Sequence, residues 1–478
     1  MANLFDLLTA NADPAAPFLE RPDGSVDTYA DLMVHTARLA NALAARGVRP
    51  GDRVACQVEK SPENLYLYLA TVRAGAVFLP LNTAYTAAEL DYFVSDAEPA
   101  LVLRDDTLGE LAEEARGHSP DFATVAREPG DLAAICYTSG TTGRSKGAML
   151  THANLASNAR TLAALWRFTA NDVLIHALPI YHVHGLFVAT NVVLSAGASM
   201  IFRARFDASE VLSLFPRATA LMGVPTFYTR LLAQPGLTRD ATAHMRLFIS
   251  GSAPLLAETH REWQARTGTA ILERYGMTET GMNTSNPYDG ERIAGTVGLP
   301  LPDVSLRIAD PDTGRELPQG EIGVIEVNGP NVFAGYWRNP EKTAAEFRPD
   351  GFFITGDLGL IDERGYVHIV GRGKDLIISG GLNVYPKEVE AEIDALPGVV
   401  ESAVVALPHP DLGEAVTAVV ATGPGSILTE REVLSALAGR LARYKQPKRV
   451  LFVEDLPRNA MGKVQKALLR EQYASLYG

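Results

Sequence analysis

YTSGTTGRSKG, residues 137–147, directly follows the apolar run LAAIC and is rich in glycine, serine and threonine. Glycines allow several backbone N–H groups to turn toward one anion, and the hydroxyls, Arg144 and Lys146 add donors and positive charge. The segment therefore predicts a phosphate-binding loop at the end of a buried strand. It is not a Walker A loop, because two residues separate Gly143 from Lys146 where that motif has none.

Helical and strand patterns alternate on both sides of this loop. Apolar residues three and four apart predict a helix over 28–47 that ends at Gly47, and Ser61 and Pro62 predict the start of another over 61–75. The apolar runs DRVACQV and VFLPLN predict short buried strands. Such alternation predicts α/β layers around largely parallel sheets, which bind ligands where their strands end.

The pattern changes near residue 300, where short strands between Gly and Asp turns predict an antiparallel subdomain. Beyond GRGKD (371–375) the pattern is that of a small α+β domain. We therefore predict an α/β fold with a large N-terminal domain, made of two layered α/β subdomains and a small antiparallel β subdomain, followed by a small α+β C-terminal domain. The predicted bounds are 1–372 for the N-terminal domain, with subdomains of roughly 1–175, 176–300 and 301–372, and 373–478 for the C-terminal domain.

The composition argues against several classes of protein. A formal net charge of −13 over 478 residues disfavours sequence-independent binding to nucleic acid or to an anionic membrane. The two cysteines, Cys56 and Cys136, lie in apolar runs and are expected to be buried thiols, too few for a disulfide framework or a zinc site. The N-terminal residues lack signal-peptide features and no run approaches about 20 apolar residues, so we expect a soluble, cytoplasmic protein.

The loop is one of several motifs that occur in order along the chain. YTSGTTGRSKG resembles the signature loop of the adenylate-forming superfamily, which includes acyl-CoA synthetases, firefly-type luciferases and peptide-synthetase adenylation domains. The other matching segments are SGSAPL (250–255), ERYGMTET (273–280), GFFITGD (351–357), GRGKDLIISGGLNVYPKEVE (371–390) and LPRNAMGKVQK (456–466). The resemblance therefore covers nearly the whole chain.

The resemblance implies ATP, Mg²⁺ and the co-substrate CoA. Glu279 and Thr138 are implied to hold Mg²⁺, because a carboxylate suits a hard cation that bridges phosphate oxygens. The residues implied to bind the ATP phosphates are Thr138, Ser139, Gly140, Thr141, Thr142, Gly143, Lys146 and Thr278. Those implied to bind adenine and ribose are Gly251, Ser252, Ala253, Glu273, Tyr275, Gly276, Met277, Asp357 and Arg372.

The resemblance also implies two half-reactions. Lys463 is implied to contact the α-phosphate and the attacking carboxylate, where charge builds on the phosphoryl oxygens. Lys374 matches the hinge about which the C-terminal domain turns after adenylation, so this domain is expected to be mobile. His182 matches a histidine at the acyl and thioester end of the site. The residues implied to border the tunnel for the pantetheine arm of CoA are Gly380, Gly381 and Asn383.

Two arginines beside the site motifs predict the acid. A malonate ligase must pair the second carboxylate of its substrate, because a buried charge is costly unless it is paired, and an arginine fork fits a carboxylate best. Arg246 precedes the adenine strand in HMRLFISGSAP, and Arg292 follows the Mg²⁺ motif in MNTSNPYDGERIAGTVG. The chain resembles the malonyl-CoA synthetase branch, which implies that both arginines, with His182, bind malonate or methylmalonate.

Other interpretations stay open at this point. The chain could activate another short- or branched-chain acid, or act as a stand-alone adenylation unit that loads a carrier protein, although no carrier-domain segment follows the last predicted helix. The presence of Lys463, Glu279 and Lys146 disfavours a non-catalytic nucleotide sensor. The segment PRNAMGK has the form of an acetylation target in this superfamily, so a protein acetyltransferase and a deacetylase acting on Lys463 are expected partners.

Overall fold

The computed structural model describes residues 3–138, 145–379, 382–423, 425–459 and 462–478. The chain divides into two compact units. The first comprises Met1–Leu306 and Val327–Phe353, and the second comprises Arg307–Glu326 and Ile354–Gly478. Within the described ranges, no helix combines the length and the apolar character needed to cross a bilayer.

The regular elements are numbered here in chain order. The helices are α1 (Leu4–Thr9), α2 (Tyr29–Ala45), α3 (Pro62–Arg73), α4 (Ala87–Ala97), α5 (Asp105–Arg116), α6 (His152–Leu165), α7 (Asn191–Ala196), α8 (Ala208–Leu214), α9 (Pro225–Leu232), α10 (Ala257–Thr267), α11 (Pro340–Ala345), α12 (Pro386–Asp394), α13 (Glu430–Ala438) and α14 (Lys466–Gln472). A π-helix covers His184–Thr190, and 3₁₀ turns cover Phe215–Arg217 and Gly373–Asp375.

The strands connect these helices. They are β1 (Pro17–Glu20), β2 (Val26–Thr28), β3 (Arg53–Gln57), β4 (Val77–Pro80), β5 (Leu101–Arg104), β6 (Leu132–Thr138), β7 (Lys146–Thr151), β8 (Val173–His176), β9 (Ser199–Phe202), β10 (Ala220–Gly223), β11 (Leu247–Ser250), β12 (Leu272–Met277), β13 (Gly281–Ser285), β14 (Leu299–Pro300), β15 (Ser305–Ala309), β16 (Gly323–Asn328), β17 (Phe353–Ile361), β18 (Val367–Arg372), β19 (Ile377–Ser379), β20 (Leu382–Val384), β21 (Val399–His409), β22 (Gly413–Thr422) and β23 (Arg449–Val453).

Local sequence signals set the first helices. Thr28 forms a capping box at the start of α2, and the helix ends before Gly47, whose φ of +85° is easily adopted only by glycine. Ser61 caps α3 by accepting a hydrogen bond from the backbone N–H of Asn64, and Pro62 is the first helical residue. Both predicted helices are confirmed.

Two sheets of the first unit carry the candidate site. One has the strand order β5–β3–β4–β6–β7, parallel from β5 to β6, with β7 antiparallel to β6. The other has the order β14–β13–β12–β11–β10–β8–β9–β1–β2 and is parallel from β12 to β1. The predicted α/β layers are confirmed, and the motif segments after β6, β8 and β11 leave carboxyl ends of parallel strands, where such sheets bind ligands.

The buried thiols also agree with the sequence prediction. Cys56 and Cys136 are both buried and free of disulfide bonds. Burial raises the pKa of the Cys136 thiol to about 12. Neither cysteine is therefore a candidate nucleophile, because the thiolate is the reactive form.

The second unit contains the remaining two sheets. The sheet β15–β16–β17–β18 lies in it apart from a few end residues, and β17 runs antiparallel to β18. The other sheet has the order β20–β19–β22–β21, with β23 parallel to β22, and its core includes Val404, Val416 and Val433. The predicted antiparallel β region and small α+β domain are confirmed. The boundary predicted after Arg372 describes a hinge between conformations and stays a prediction.

Candidate active site

Helix α4 holds both ends of the phosphate loop. The Tyr137 hydroxyl, one residue before the end of β6, donates to the carboxylate of Asp96 at 2.5 Å. The Tyr92 hydroxyl donates to the backbone carbonyl of Ser145, just before β7, at 2.8 Å. The predicted phosphate contacts between these anchors lie outside the described residues: Ser139, Gly140, Thr141, Thr142 and Gly143.

Glu279 lies in a cluster of polar side chains beside the ends of β6 and β7. Its Oε1 is 3.5 Å from Oγ1 of Thr138 and 3.1 Å from the hydroxyl of Tyr336. The same hydroxyl is 2.5 Å from Oε2 of Glu346. Nζ of Lys146 lies 3.4 Å from Oε1 of Glu346 and 4.6 Å from the centre of the Tyr336 ring. The structure thus brings three predicted residues together and adds two that the sequence analysis missed.

One phenol joins two carboxylates in this cluster. Because a phenol carries a single proton, Tyr336 donates to Glu279 or to Glu346 at any moment. Burial and the charge of Glu279 raise the pKa of Tyr336, so the proton stays on the oxygen. Burial acts to raise the pKa of Glu346, but hydrogen bonds from Lys342 and Tyr336 and the charge of Lys146 bring it below its usual value. Glu346 is therefore ionised, with its charge balanced by the two lysines.

The segment after β11 allows close approach of other groups to its backbone. A Cβ at Gly251 would lie 2.3 Å from Cζ of Arg274, so the position has no room for a side chain. Ser252 has a φ of +70°, and its hydroxyl lies 3.1 Å from Nδ1 of His184. Ala253, which follows, is partly exposed. The space above Gly251 is taken by the Arg274 guanidinium, and the predicted adenine contact of Gly251, Ser252 and Ala253 stays a prediction.

The turn of the β12–β13 hairpin carries two of the predicted site residues. A Cβ at Gly276 would lie 1.9 Å from the backbone oxygen of Gly281, which fixes the close crossing of the two strands. Met277 ends β12, and the turn after it carries Thr278 and Glu279. The tight hairpin therefore determines where the Glu279 carboxylate and the Thr278 hydroxyl lie.

Glu273 and Tyr275 lie on β12, where Glu273 pairs with β11 and Tyr275 pairs with β13. The Glu273 carboxylate is buried, 3.2 Å from Nδ1 of His260 on α10, and accepts a hydrogen bond from the N–H of Gly295 at 3.4 Å. Tyr275 is only 8% exposed. These contacts give Glu273 a structural role, and its predicted adenine contact stays a prediction.

His182 lies in the segment between β8 and the π-helix. π-helical turns frequently occur at functional sites. The His182 ring is 4.7 Å from the ring of Tyr181. A small polar cavity joins the predicted acyl end to the predicted phosphate end, and its lining residues are Pro80, Asn82, Tyr85, Cys136, Tyr137, Tyr181, His182, Val183 and Thr278.

Arg274 is a buried cation with spare hydrogen-bond donors. Its side chain is 4% exposed, and the buried Nε and Nη2 have no hydrogen-bond partner among the described residues. Burial lowers its pKa to about 9, which leaves the guanidinium charged at neutral pH. Burial and the charge of Arg274 hold the pKa of His184 well below its usual range, so that imidazole is neutral. A buried charge of this kind requires an anionic partner or a strong acceptor.

Arg246 lies at the opposite edge of the sheet from the site motifs. It directly precedes β11, about 13 Å along the strand from Ser250 at its carboxyl end. Its Nε is 2.7 Å from Oδ1 of Asp172, and its Nη1 donates to the carbonyl of Trp166 at 3.1 Å. The prediction that Arg246 binds the acid is therefore corrected: its guanidinium ties the amino ends of β8 and β11 together.

Arg292 also lies at the amino end of a parallel strand, away from the site motifs. Its guanidinium donates to three backbone carbonyls, those of Pro287 at 3.2 Å, Ala270 at 2.7 Å and Tyr288 at 3.1 Å. Ala270 precedes β12, so these contacts also lie at the amino end of a parallel strand. The prediction that Arg292 binds the acid is corrected as well, because its three nitrogens are engaged in fixing a loop.

In the second unit, Asp357 and Arg372 are register partners on β17 and β18. Nε of Arg372 lies 2.9 Å from Oδ1 of Asp357, whose side chain is buried. Lys374 follows in a 3₁₀ turn. Burial and the charges of Arg372 and Arg470 lower its pKa, against the opposing charge of Asp375. The ribose and hinge roles of these residues stay predictions.

Lys463 lies on a tight turn and is exposed. Its backbone N–H donates to Oδ1 of Asn459 at 3.0 Å, and the Asn459 N–H donates to the carbonyl of Lys463 at 2.9 Å. Arg458 donates from Nη1 to the carbonyl of Gly462 at 2.9 Å. These hydrogen bonds tie the backbone of Lys463 and Gly462 to Asn459 and Arg458. Asn383 is exposed on β20, and Gly380 and Gly381 lie outside the described residues.

Comparisons with known proteins agree with these features. The chain matches the AMP-binding enzyme family over residues 8–337 and the AMP-binding enzyme C-terminal domain over residues 388–463. A feruloyl-CoA synthase from an Amycolatopsis species is 38% identical over 471 residues, 95% of each chain. The mitochondrial malonate–CoA ligase ACSF3 of Mus musculus is 34% identical over 511 residues, 94% of this chain and 87% of the relative. The crystal structure of ATP-bound MatB from Rhodopseudomonas palustris is 62% identical, covers 100% of both chains and gives a TM-score of 0.98.

Proposed function

The chain belongs to the AMP-binding enzyme family, and we propose that it is an AMP-forming ligase that joins malonate to CoA through a malonyl-adenylate. Relatives named as malonate–CoA ligases from Mus musculus and Arabidopsis thaliana, at 34% and 35% identity, support the reaction class and the acid. The cytoplasmic location and the acetylation of Lys463 remain predictions from the sequence.

The observation that carries the assignment to malonate is the buried Arg274 guanidinium. At the pH of the reaction malonate has two carboxylates, one of which attacks ATP while the other must enter the protein as a charge. Arg274 lies beside Gly251 at the carboxyl end of the sheet, and two of its buried nitrogens have no partner among the described residues. A bidentate contact would pair the buried guanidinium of Arg274 with the second carboxylate of malonate.

The first half-reaction needs two anions to approach each other. A carboxylate oxygen of malonate attacks the α-phosphorus of ATP, the bond to the bridging oxygen breaks, and pyrophosphate leaves with that electron pair. In the proposed arrangement Lys146 and Thr138 contact the leaving phosphates, and the exposed ammonium of Lys463 contacts the α-phosphate. A lysine is suited to this task as a mobile point charge.

The Glu279 cluster fits a magnesium ion. The donor set consists of oxygens only: the Glu279 carboxylate with the Thr138 hydroxyl 3.5 Å away. Among the residues the structure describes, no group of three or more His, Cys, Asp or Glu side chains could hold a metal. That agrees with Mg²⁺, which commonly uses one carboxylate together with substrate phosphates and water. When bound, Mg²⁺ would neutralise charge on the phosphate oxygens.

In the second half-reaction the CoA sulfur attacks the carbonyl carbon of malonyl-adenylate. The thiol loses its proton, the C–O bond to AMP breaks, and malonyl-CoA and AMP leave. We propose that the C-terminal domain turns about Lys374 between the two steps, so that Lys463 leaves the site and Asn383 approaches the pantetheine arm. His182 borders the cavity that also contains Thr278, which supports a place for it at the acyl end.

The selectivity for malonate tests the role of Arg274. Replacing Arg274 with Met should lower kcat/KM for malonate by about 100-fold or more relative to butyrate, because the second carboxylate would be buried without a partner. Arg246→Ala and Arg292→Ala are matched controls that should leave the malonate-to-butyrate ratio unchanged. The ratio does not depend on the fraction of folded enzyme. If either control lowered the malonate-to-butyrate ratio and Arg274→Met did not, the second carboxylate would instead be assigned to Arg246 or Arg292.

The second candidate is a ligase for a different acid. The feruloyl-CoA synthase relative, at 38% identity, favours an aromatic acid. A charged arginine beside the thin backbone of Gly251 argues against an apolar ring at that point, since the ring would remove water from the cation without pairing it. An acid panel that includes ferulate separates the two candidates.

A further inference from the structure

Lys60 is a buried lysine that the proposed reaction does not use. It follows β3, and its Nζ lies 2.9 Å from Nδ1 of His176 and 2.8 Å from the backbone oxygen of the same residue. The ammonium also lies 4.3 Å from the centre of the Phe202 ring. No carboxylate is among its contacts in the described part of the chain, and burial holds its pKa well below the usual range. Both of these polar contacts of the Lys60 Nζ are therefore with His176.

The contacts of His176 determine which ring nitrogen carries the proton. Its Nε2 lies 2.9 Å from the backbone oxygen of Gly185, which can only accept, so Nε2 must carry a hydrogen. Burial and the charge of Lys60 hold the pKa of His176 well below its usual range, so the ring is neutral and Nδ1 has a lone pair. Lys60 therefore donates to Nδ1 and stabilises the tautomer that donates to Gly185.

Gly185 closes the segment that carries His182, the candidate acyl-site histidine, and His184. A Cβ at this position would lie 2.0 Å from the backbone oxygen of Pro179, so the segment turns back on itself without space to spare. The Gly185 carbonyl also accepts a hydrogen bond from Oγ1 of Thr190 at 3.1 Å, inside the π-helix. His182 and His184 lie between the two contacting ends. A shift of Gly185 would therefore move both histidines.

We infer that Lys60 is a positioning residue for the acyl end of the site: it holds His176 in the Nε2–H tautomer, and His176 holds the Pro179–Gly185 segment with His182 and His184. The contacts run from Lys60, just after β3, to His176 at the end of β8 and to Gly185 in the π-helix, so they link the sheet that contains β3 to the sheet that contains β8. The inference rests on the proposed acid-activating function only for the expected change in kinetics.

The tautomer of His176 in the unaltered enzyme is the first test. Nitrogen-15 NMR of enzyme with ¹⁵N-labelled histidine, assigned by comparison with His176→Gln, should show a protonated Nε2 and an unprotonated Nδ1. Lys60→Met should weaken this preference, since Met has the length of Lys but no donor. A wild-type spectrum with Nδ1 protonated would overturn the inference, whichever acid the enzyme prefers.

The kinetic test separates positioning from general stability. Lys60→Met should raise KM for the acid about tenfold or more while KM for ATP changes less than twofold, because the contacts described for the Glu279 cluster do not include Lys60. Lys60→Gln, which keeps an N–H donor, should recover part of the loss. The measurement uses whichever acid leads a substrate panel, so a wrong acid assignment would not affect it. Equal loss toward ATP and acid in Lys60→Met would mean that Lys60 is only structural.

Discussion

The edge of the sheet on which a residue lies determines which arginine can meet the substrate. Arg246 and Arg292 are close to site motifs in the sequence, yet their guanidinium groups bind a carboxylate and backbone carbonyls at the amino ends of parallel strands. Arg274, inside the ERYGMTET motif, lies at the carboxyl end, and in the part of the chain that the structure describes two of its buried nitrogens have no hydrogen-bond partner. Whether an arginine lies at the amino or the carboxyl end of its strand therefore matters more for the proposed chemistry than how close it is to a motif in the sequence.

Removing the hydroxyl of Tyr336 tests whether this residue orients Glu279. Tyr336→Phe removes the hydroxyl that lies 3.1 Å from Glu279 and 2.5 Å from Glu346. A group that orients a metal ligand typically contributes about 10- to 100-fold in metal affinity. We expect the variant to need at least about tenfold more Mg²⁺ for nucleotide binding, measured by calorimetry with ATP. Unchanged Mg²⁺ dependence in a folded variant would show that Tyr336 does not orient Glu279.

Much of the site could be predicted at this scale, and the missing part has a physical reason. Glu279, Thr138 and Lys146 belong to motifs, and the structure brings them together. Tyr336 and Glu346 were missed because they lie some 60 residues further along the chain from Glu279, and no local pattern marks a contact of that kind. The rule that parallel sheets bind ligands at the carboxyl ends of their strands could have excluded Arg246, which precedes its strand.

The elements of the second unit offer a matched test of backbone conformation. Gly439 ends α13 with a φ of −92°, and Gly413 starts β22 with a φ of +72°; neither would meet another atom within 4 Å if it carried a Cβ. Gly439→Ala should therefore stabilise by about 0.5 kcal/mol, because alanine restricts the unfolded chain. Gly413→Ala should destabilise by about 1 kcal/mol, because alanine disfavours positive φ.

Urea unfolding, followed by hydrogen exchange in peptides of α13 and β22, measures both changes. The two glycines are equally free of steric contact, so the comparison isolates the dihedral angle. Shifts of the same sign in both variants would contradict the explanation.

Asp394 on α12 makes the stability of the second unit depend on pH. Burial, with the nearby charge of Glu390, raises its pKa to about 6 from 3.8. The folded state therefore binds this proton more tightly than the unfolded state, so the group costs stability as pH rises from about 4 to 6, and the full cost is present above that range. A shift of about two units corresponds to roughly 3 kcal/mol as an upper figure.

Asp394→Asn should therefore stabilise the second unit by about 2 kcal/mol at pH 7.5 and by roughly a third of that at pH 4.5. Unfolding of the variant and the parent at the two pH values, again followed by hydrogen exchange in α12, provides the measurement. An equal difference at both pH values would mean that Asp394 is not the titrating group.

At the scale of the whole molecule, the two-step reaction predicts that one lysine serves only one step. Lys463→Ala should reduce malonate-dependent pyrophosphate release by at least about 100-fold, because the developing charge at the α-phosphate loses its partner. Thioester formation from supplied malonyl-adenylate and CoA should stay within about threefold of the parent. Lys448→Ala serves as a control that should leave both steps unchanged. Equal loss of both steps would contradict the proposed exchange of conformations.

The fold of the whole molecule was the most predictable part, since alternating strands and helices, capping residues and turns are local signals that recur along the chain. The helices capped by Thr28 and Ser61 are examples, because a hydroxyl at the N-cap and a glycine or proline at one end are sufficient to place them. The predicted hinge after Arg372 rests on the family resemblance alone, and it stays a prediction because a hinge shows only in a comparison of two conformations.

The most direct test of the central claim is the substrate preference of the unaltered enzyme. Pyrophosphate release would be measured with ATP, Mg²⁺, CoA and a panel of malonate, methylmalonate, acetate, butyrate and ferulate. Malonate should give the highest kcat/KM, with methylmalonate next, because only these acids carry the second carboxylate that Arg274 is proposed to pair. A tenfold advantage of acetate, butyrate or ferulate over malonate would contradict the account.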